Sequence, residues 1–404
     1  MKKNLELAKK YEEDIIGFRR DIHKNPEVGF YLPKTSKYIK EQLDKMGIQY
    51  RDCGKITKEI SDKFEKLGSP RAEEATGILA TIGSGEPVVL LRGDIDALPM
   101  EEKTGLPYAS KNGCMHACGH DAHGAMLLGA AKILKEREDE LKGTVKLMFQ
   151  IGEELGYGSQ LMIDDGLLEN PKVDAAFAIH VNSQLDSGTV QYTKGVMTAS
   201  MDSWEINIKG KGGHSSMPQV CIDPNVIANQ IYQALNILPG REVDPSANLS
   251  FVVGVIEGGT AVNIIPDTAR LSAGMRSLDI PSRDHLAPRV EEIVDHCVKM
   301  WRGEYTINHL LTPSTYCDGD LIEEMIPYLE EVTGKGNLVE TGPIGGAEDF
   351  GYVTKQVPGM MLWLGAGNSE QYPLHNPNMV LDESVFKLGA ALHATFAMEY
   401  LKNH

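Results

Sequence analysis

The chain opens on a helical stripe. "MKKNLELAKKYEEDIIGFRRDIH" sets charges between its leucines and isoleucines instead of gathering them into an apolar block. The first forty-odd residues read as two helices broken by "HKNPEVGFYLPKT", where prolines and a glycine punctuate the pattern. The period then shortens. "TGILATIG" and "PVVLLRGDID" are predicted strands around a Gly-Ser-Gly turn, and the second is a continuous apolar run suited to a strand buried on both faces. "GAMLLGAAKILKEREDELKG" returns to helical spacing, with a charged tail and a glycine expected as its C-cap. "TVKLMFQI" and "VDAAFAIHV" are two more buried strands, with a loop and helix between them. Strands and helices alternating in this way predict an α/β fold built on a mainly parallel sheet, covered on both faces.

The pattern changes near residue 200. "SMDSWEINIKGKGGH" alternates as a half-buried strand does, and "DPNVIANQIYQALNIL" is helical. Two strands joined by a Gly-Gly loop follow, then the helix "SRDHLAPRVEEIVDHCVKMWRG" and the strand "YTINHLLTPS". This β-α-β-β-α-β order is the ferredoxin-like unit, with helices on one face. The α/β pattern then resumes with "LIEEMIPYLEEVTG", "GMMLWLGAG" and a final amphipathic helix. The reading is therefore a discontinuous larger domain, 1–198 and 313–404, with a smaller domain inserted at 199–312.

Composition narrows the partners. At 404 residues the chain exceeds one ordinary core, and its 42% hydrophobic and 24% charged residues are those of a soluble globular protein. A formal net charge of −17 argues against nucleic acid and anionic membranes, which would repel it. The six cysteines show no paired framework and read as reduced thiols. No signal-like block opens the chain, and nothing approaches the roughly 18 consecutive apolar residues of a membrane span. A cytoplasmic protein with a small-molecule substrate is expected.

"HACGHDAH", residues 116–123, crowds three histidines, a cysteine and an aspartate into eight positions. "RGDID", "GEE" at 152–154 and His180 stand at the ends of predicted strands, the edge where open α/β sheets bind ligands. A thiolate, imidazoles and carboxylates suit zinc and tolerate other first-row metals. Glu153 and Glu154 are adjacent, so at a strand end one can bind metal while the other serves as a general base. Taken singly, His180 reads as a hydrogen-bonded core residue and the acidic pair as a solvated turn. A Cys-rich structural zinc site is disfavoured, because the chain contains no CxxC.

Taken in order, "FRRDIHKNPEVGF", "LRGDIDALPM", "MHACGHDAHGAMLLGAA", "FQIGEE", "GKGGHSSMP", "GGTAVNIIPD", "MRSLD", "GAEDFG" and "LHNP" resemble the M20 metallopeptidase family. The likeness is greatest to its amidohydrolase branch of hippurate hydrolases, auxin-conjugate hydrolases and N-acyl-amino-acid deacylases. The resemblance implies a di-metal exopeptidase-type catalytic domain. Two divalent ions (zinc, manganese, cobalt or nickel) would be held by Cys118, His120, Glu154, His180 and His375, with Cys118 between them. It implies Glu153 as the general base and Asp94 as a supporting carboxylate behind the ligands. His116 and His123 are left as loop or supporting histidines. For the inserted domain it implies a lid that also forms a homodimer, a tetramer remaining open. There His214 would steady an oxyanion, and Asn263 and Arg276 would meet substrate. Arg276 is either a fork for a substrate carboxylate or a salt-bridged strand residue.

The activity so implied is hydrolysis of an N-acyl amino acid to a carboxylic acid and a free amino acid. Dipeptide cleavage, deacetylation of acetylated diamino acids and a non-catalytic metal-containing binder are the alternatives. Three departures from the family stand out: Ile151 and Gly152 replace its proline and alanine, Leu32 replaces a glutamate, and residues 54–75 form a longer link. That link is expected to carry an extra helix beside the pocket that alters substrate choice.

Overall fold

Four apolar strands, Thr144–Gln150, Val88–Asp94, Ala175–Asp186 and Gly359–Gly367, lie side by side and parallel in the computed structural model, which describes residues 2–66, 69–74 and 76–404. Every residue of the 88–94 and 144–150 strands is buried, as a sheet covered on both faces requires. Gly77–Gly83 and Gln49–Cys53 extend one side antiparallel, and Val190–Tyr192 with Leu338–Glu340 completes an eight-stranded sheet. The two strands around the Gly-Ser-Gly turn do not pair with each other. Thr144–Gln150 lies between them, antiparallel to one and parallel to the other, where its apolar run is shielded by a ladder on each side.

Helices His120–Glu136 and Phe386–Asn403 are buried nearly all round and pack on each other and on the sheet. A helix without a polar face belongs in the interior. The first of them ends at Glu136 with Arg137 at its cap, and a 3-10 turn, Glu138–Glu140, follows; the expected cap, Gly143, comes after both. The N-terminal stretch makes three helices, Lys2–Lys10, Glu12–His23 and Pro33–Met46, because the opening stripe divides at Tyr11. The 54–75 link carries the helix Lys58–Glu65, started by Thr57, whose hydroxyl accepts the Ile60 N–H. Leu67, Gly68 and Ala75 of that link lie outside the described residues.

The chain divides into two compact units: residues 1–197 with 315–342 and 349–404, and residues 198–314 with 343–348. In the second, four antiparallel strands run in the order Leu249–Gly258, Thr268–Ser277, Ser200–Lys209, Glu304–Thr312, the ferredoxin-like arrangement. Trp204, Ile206 and Leu271 from the strands meet Ile227, Ile231, Val290 and Val294 from helices Pro224–Ile237 and Ile280–Met300. Among the described residues no helix is long and apolar enough to cross a membrane.

Candidate metal centre

In the larger unit the parallel strands deliver their ends to one cluster. Cys118 and His120 flank Gly119, which sits at φ +86° before the 120–136 helix. A Cβ there would stand 2.4 Å from the Val181 side chain, so only glycine lets this segment lie against the strand that carries His180. Gly152 does the same for the glutamates: its φ is +63°, and the Phe30 ring occupies the place of a Cβ at 2.3 Å. His375 is unusual in being a non-glycine residue at φ +63°, held there by its N–H bond to the Ala117 carbonyl at 2.8 Å.

The side chains converge. Cys118 Sγ lies 3.2 Å from His375 Nε2 and 3.6 Å from His180 Nε2. Glu154 Oε1 is 3.4 Å from His375 Nε2 and 3.9 Å from His120 Nε2, and Glu153 Oε2 is 3.8 Å from His120 Nε2. Two sets of donors, Cys118–His120–His180 and Cys118–Glu154–His375, each close to within 4.8 Å and share the thiol. His120 Nε2 and Glu154 Oε1 are buried without a hydrogen-bond partner among the described residues. Such a group costs about 1–3 kcal/mol unless something else satisfies it. His180 Nδ1 donates to the Val181 carbonyl at 2.8 Å, and His120 Nδ1 faces the Asp96 carbonyl at 3.1 Å, so both histidines turn an Nε2 lone pair inward. The donor set and its unsatisfied atoms fit divalent cations of borderline softness.

Behind these donors stand residues that brace them. Asp94 Oδ2 is 2.9 Å from Arg92 and 3.5 Å from His120 Nε2, while its Oδ1 takes the proton of His123 Nδ1. His123 Nε2 in turn accepts the Val181 N–H at 2.9 Å, tying this pair to the His180 strand. Asp96, which sequence reasoning passed over, accepts the backbone N–H groups of both Glu153 and Glu154 at 3.1 Å, and its carboxylate lies 3.3 Å from His120 Nδ1. Its only signal in the sequence was its place in the same "RGDID" motif as Asp94. Trp363 packs on the His180 ring at 4.8 Å. His116 is buried with neither ring nitrogen bonded among the described residues, and burial takes its pKa down to about 3.

Burial opposes charge throughout the cluster. At Asp94 it is outweighed by Arg92, His120 and His123, which hold the carboxyl well below its usual range. Burial raises Asp96 and, with Glu154, pushes the Cys118 thiol up; it holds His180 neutral. His375 rises to about 10 because it faces Cys118 and Glu154. A divalent cation reverses the sense at both Cys118 and His375, since it favours thiolate and neutral imidazole.

In the smaller unit, His214 lies on an exposed ribbon, Gly213–His214 paired with Ile264–Ile265, and its Nδ1 accepts the Ser216 N–H at 3.2 Å. Ser215 N–H donates to the Asn263 carbonyl, so His214 and Asn263 are neighbours. Arg276 is exposed on the Thr268–Ser277 strand beside Met201, with no ion pair among the described residues.

The family model described as Peptidase family M20/M25/M40 matches residues 90–399. IAA-amino acid hydrolase ILR1-like 4 of Arabidopsis thaliana is 37% identical over 411 residues, covering 99% of this chain and 89% of that protein. N-acetyl-L-cysteine deacetylase of Bacillus subtilis is 35% identical, with 92% and 85% covered. A Bacillus subtilis crystal structure described as a dinuclear metal binding peptidase from the M20 family superposes with a TM-score of 0.75 at 30% identity, covering 98% of this chain and 100% of that one. Because these matches run through every motif that converges in the cluster, the chain belongs to the M20/M25/M40 peptidase family, in its amidohydrolase branch, and is a hydrolase.

Proposed function

We propose that this hydrolase cleaves the amide bond of N-acyl amino acids, releasing a carboxylic acid and a free amino acid. The observation that carries the reading is the division of labour at the paired glutamates. Both glutamates lie beside His120, close enough to share a cation with it, but only Glu154 also joins the donor set around Cys118 and His375, while Glu153 belongs to neither set that contains the thiol. Two relatives, an IAA-amino acid hydrolase and an N-acetyl-L-cysteine deacetylase, are named for acyl groups joined to amino acids.

In this reading Cys118, His120 and His180 hold one divalent cation, and Cys118, Glu154 and His375 the other, zinc, manganese, cobalt or nickel all suiting the donors. Such ions, when bound, supply Lewis acidity to the amide carbonyl and to water. Glu153 takes a proton from the attacking water as its oxygen bonds to the carbonyl carbon. It returns that proton to the nitrogen as the C–N bond breaks, a role worth about 10²–10⁴ in rate. Asp96 and Asp94 keep the histidine and the glutamates in place. His214 is assigned as a donor to the oxyanion, and Asn263 and Arg276 as substrate contacts, Arg276 through its guanidinium to a carboxylate. The exposure of Arg276 and its lack of an ion pair among the described residues support that assignment.

A homodimer through the smaller unit is part of the proposal. Its edge strand Leu249–Gly258 exposes Val252 and Ile256, and helix Pro224–Ile237 exposes Tyr232 and Ile237. An edge strand with exposed apolar side chains is a template for pairing. The functional test is amino-acid release from acetyl, benzoyl, phenylacetyl, indoleacetyl and long fatty acyl conjugates, by metal-reconstituted protein beside a chelated control. Chelator-sensitive release from one group names the substrate. Silence across the panel with metal bound would sink the N-acyl reading and turn the search to dipeptides.

A further inference from the structure

Arg92, Gln150, Ser159 and Asp349 form a fully buried polar knot in the larger unit that the chemistry above leaves unused. Asp349 Oδ1 accepts from Gln150 Nε2 at 2.6 Å and lies 3.5 Å from Arg92 Nη2, while Oδ2 accepts the Ser159 N–H at 2.9 Å. The Ser159 hydroxyl stands 3.1 Å from Asp349 Oδ1 and 2.9 Å from Gln150 Oε1, so its single proton serves one or the other. Gln150 Oε1 also accepts from Arg92 Nε at 2.7 Å.

The positions of these partners matter more than their number. Gln150 ends the strand Thr144–Gln150, and Ser159 lies in the first turn of the helix Gly158–Asp164. Between them runs the loop 151–158, which carries Glu153 and Glu154. That loop turns at two glycines, Gly152 and Gly156, at φ +63° and +66°, residues that restrain the backbone least. Within it a 3-10 turn, Glu153–Leu155, is closed by Gly156 N–H to the Glu153 carbonyl at 2.7 Å, and Leu155 and Gly158 N–H meet the Gly152 carbonyl at 3.3 and 3.2 Å. Asp96 holds the middle of the loop by two amides. Asp349 holds its two ends, and its carboxylate comes within 4.8 Å of that of Glu153. Arg92 links this brace to Asp94, and through it to His120 and His123.

We infer that Asp349 is a positioning residue for Glu153: it clamps both ends of the 151–158 loop and so sets where the Glu153 carboxylate stands. The inference rests on Glu153 as the general base. A carboxylate that only glued the core would affect stability and leave the catalytic step unchanged. A clamp on the base lowers kcat and leaves substrate and metal binding alone, because displacement of a reacting group by about 1 Å costs about 10²-fold.

The test uses full-length, metal-loaded Asp349→Ala and Asp349→Asn. Metal content, kcat and KM on the conjugate that the native protein cleaves, and amide hydrogen exchange are all measured. Asp349→Ala should retain two ions per chain, lose about 100-fold in kcat with KM within about threefold, and exchange faster in peptides covering 151–158. Asp349→Asn, which still accepts the Ser159 N–H, should recover about tenfold of that loss. A kcat within about threefold of native, unchanged loop exchange, or metal lost in step with activity would overturn the inference. If Asp349→Ala does not fold, Gln150→Leu removes the side-chain donor by which Asp349 holds the strand end of the loop and should lower kcat about fivefold at constant KM; an unchanged kcat would overturn it equally. If the native protein cleaves no conjugate, the N-acyl reading is what has failed, and the loop's exchange rate still decides whether Asp349 holds it.

Discussion

Asp96→Ala is the sharpest probe of how this site is built. The substitution deletes the acceptor of two amides, the buried one of Glu153 and the part-buried one of Glu154, each at 3.1 Å. It also removes the carboxylate facing His120 Nδ1 at 3.3 Å, although the Asp96 backbone carbonyl at 3.1 Å remains for that proton. A stranded buried donor costs about 1–3 kcal/mol and the part-buried one less, so the variant should be about 2–4 kcal/mol less stable. The partner of a ligating histidine is worth about 10–100-fold in metal affinity, and the retained carbonyl places the expected loss at the lower end, about tenfold. Asp96→Asn keeps one acceptor but turns an NH2 toward the second amide, so about half of the stability loss should remain. Urea unfolding at saturating metal gives the first quantity, and competition with a metal-binding dye gives the second. A loss of under about 1 kcal/mol together with unchanged metal affinity would refute the claim that Asp96 organises the glutamate turn.

Other expectations follow from particular contacts. Gly119→Ala places a methyl 2.4 Å from Val181 at φ +86°, and should cost about 1–3 kcal/mol and lower metal occupancy, read by thermal melting and metal analysis. Glu102 is opposed by burial, but bonds from His23, Thr104 and the Ser110 amide outweigh this and take its pKa down to about 2 from 4.5. The unfolded chain therefore binds more protons between those values, and the contribution of Glu102, complete above about pH 4.5, should vanish as pH falls toward 2. Glu102→Gln should flatten that limb of the stability–pH curve, and an unchanged limb would refute it. Phe64 packs on Phe30 at 4.9 Å and on Tyr157 at 5.5 Å, linking the helix Lys58–Glu65 to the loop after Glu154. Phe64→Ala should cost about 3–5 kcal/mol and change the order of preference among acyl groups without changing metal content; an unaltered substrate profile would remove that helix from the specificity account.

The parallel core was legible because its strands are unbroken apolar runs, a pattern that only a sheet covered on both faces explains. Strand order was not, since nothing local told Thr144–Gln150 to separate the two strands that precede it. Cys118 and His120 announced themselves by crowding. His375 did not: a single histidine in a proline-bounded loop is ordinary, and what distinguishes it, a positive φ and a bond to Ala117, exists only after folding. Asp94 and Asp96 share one motif, and the resemblance pointed to Asp94. The folded chain divides the work, with Asp94 on the His123 side and Asp96 under the glutamates. Asp349 stood in "GAEDFG", which marked the family and said nothing of its role, and Ser159 carried no signal, because their chemistry depends on residues far apart in sequence meeting at the ends of one loop.

The central claim is that Glu153 moves the proton while its neighbour Glu154 belongs to the metal-holding set. Metal content and amino-acid release, measured side by side on native protein and Glu153→Gln, test it most directly. The account predicts two ions per chain in both proteins and a loss of about 10²–10⁴ in turnover in the variant. Turnover close to native in a metal-loaded Glu153→Gln protein would contradict it.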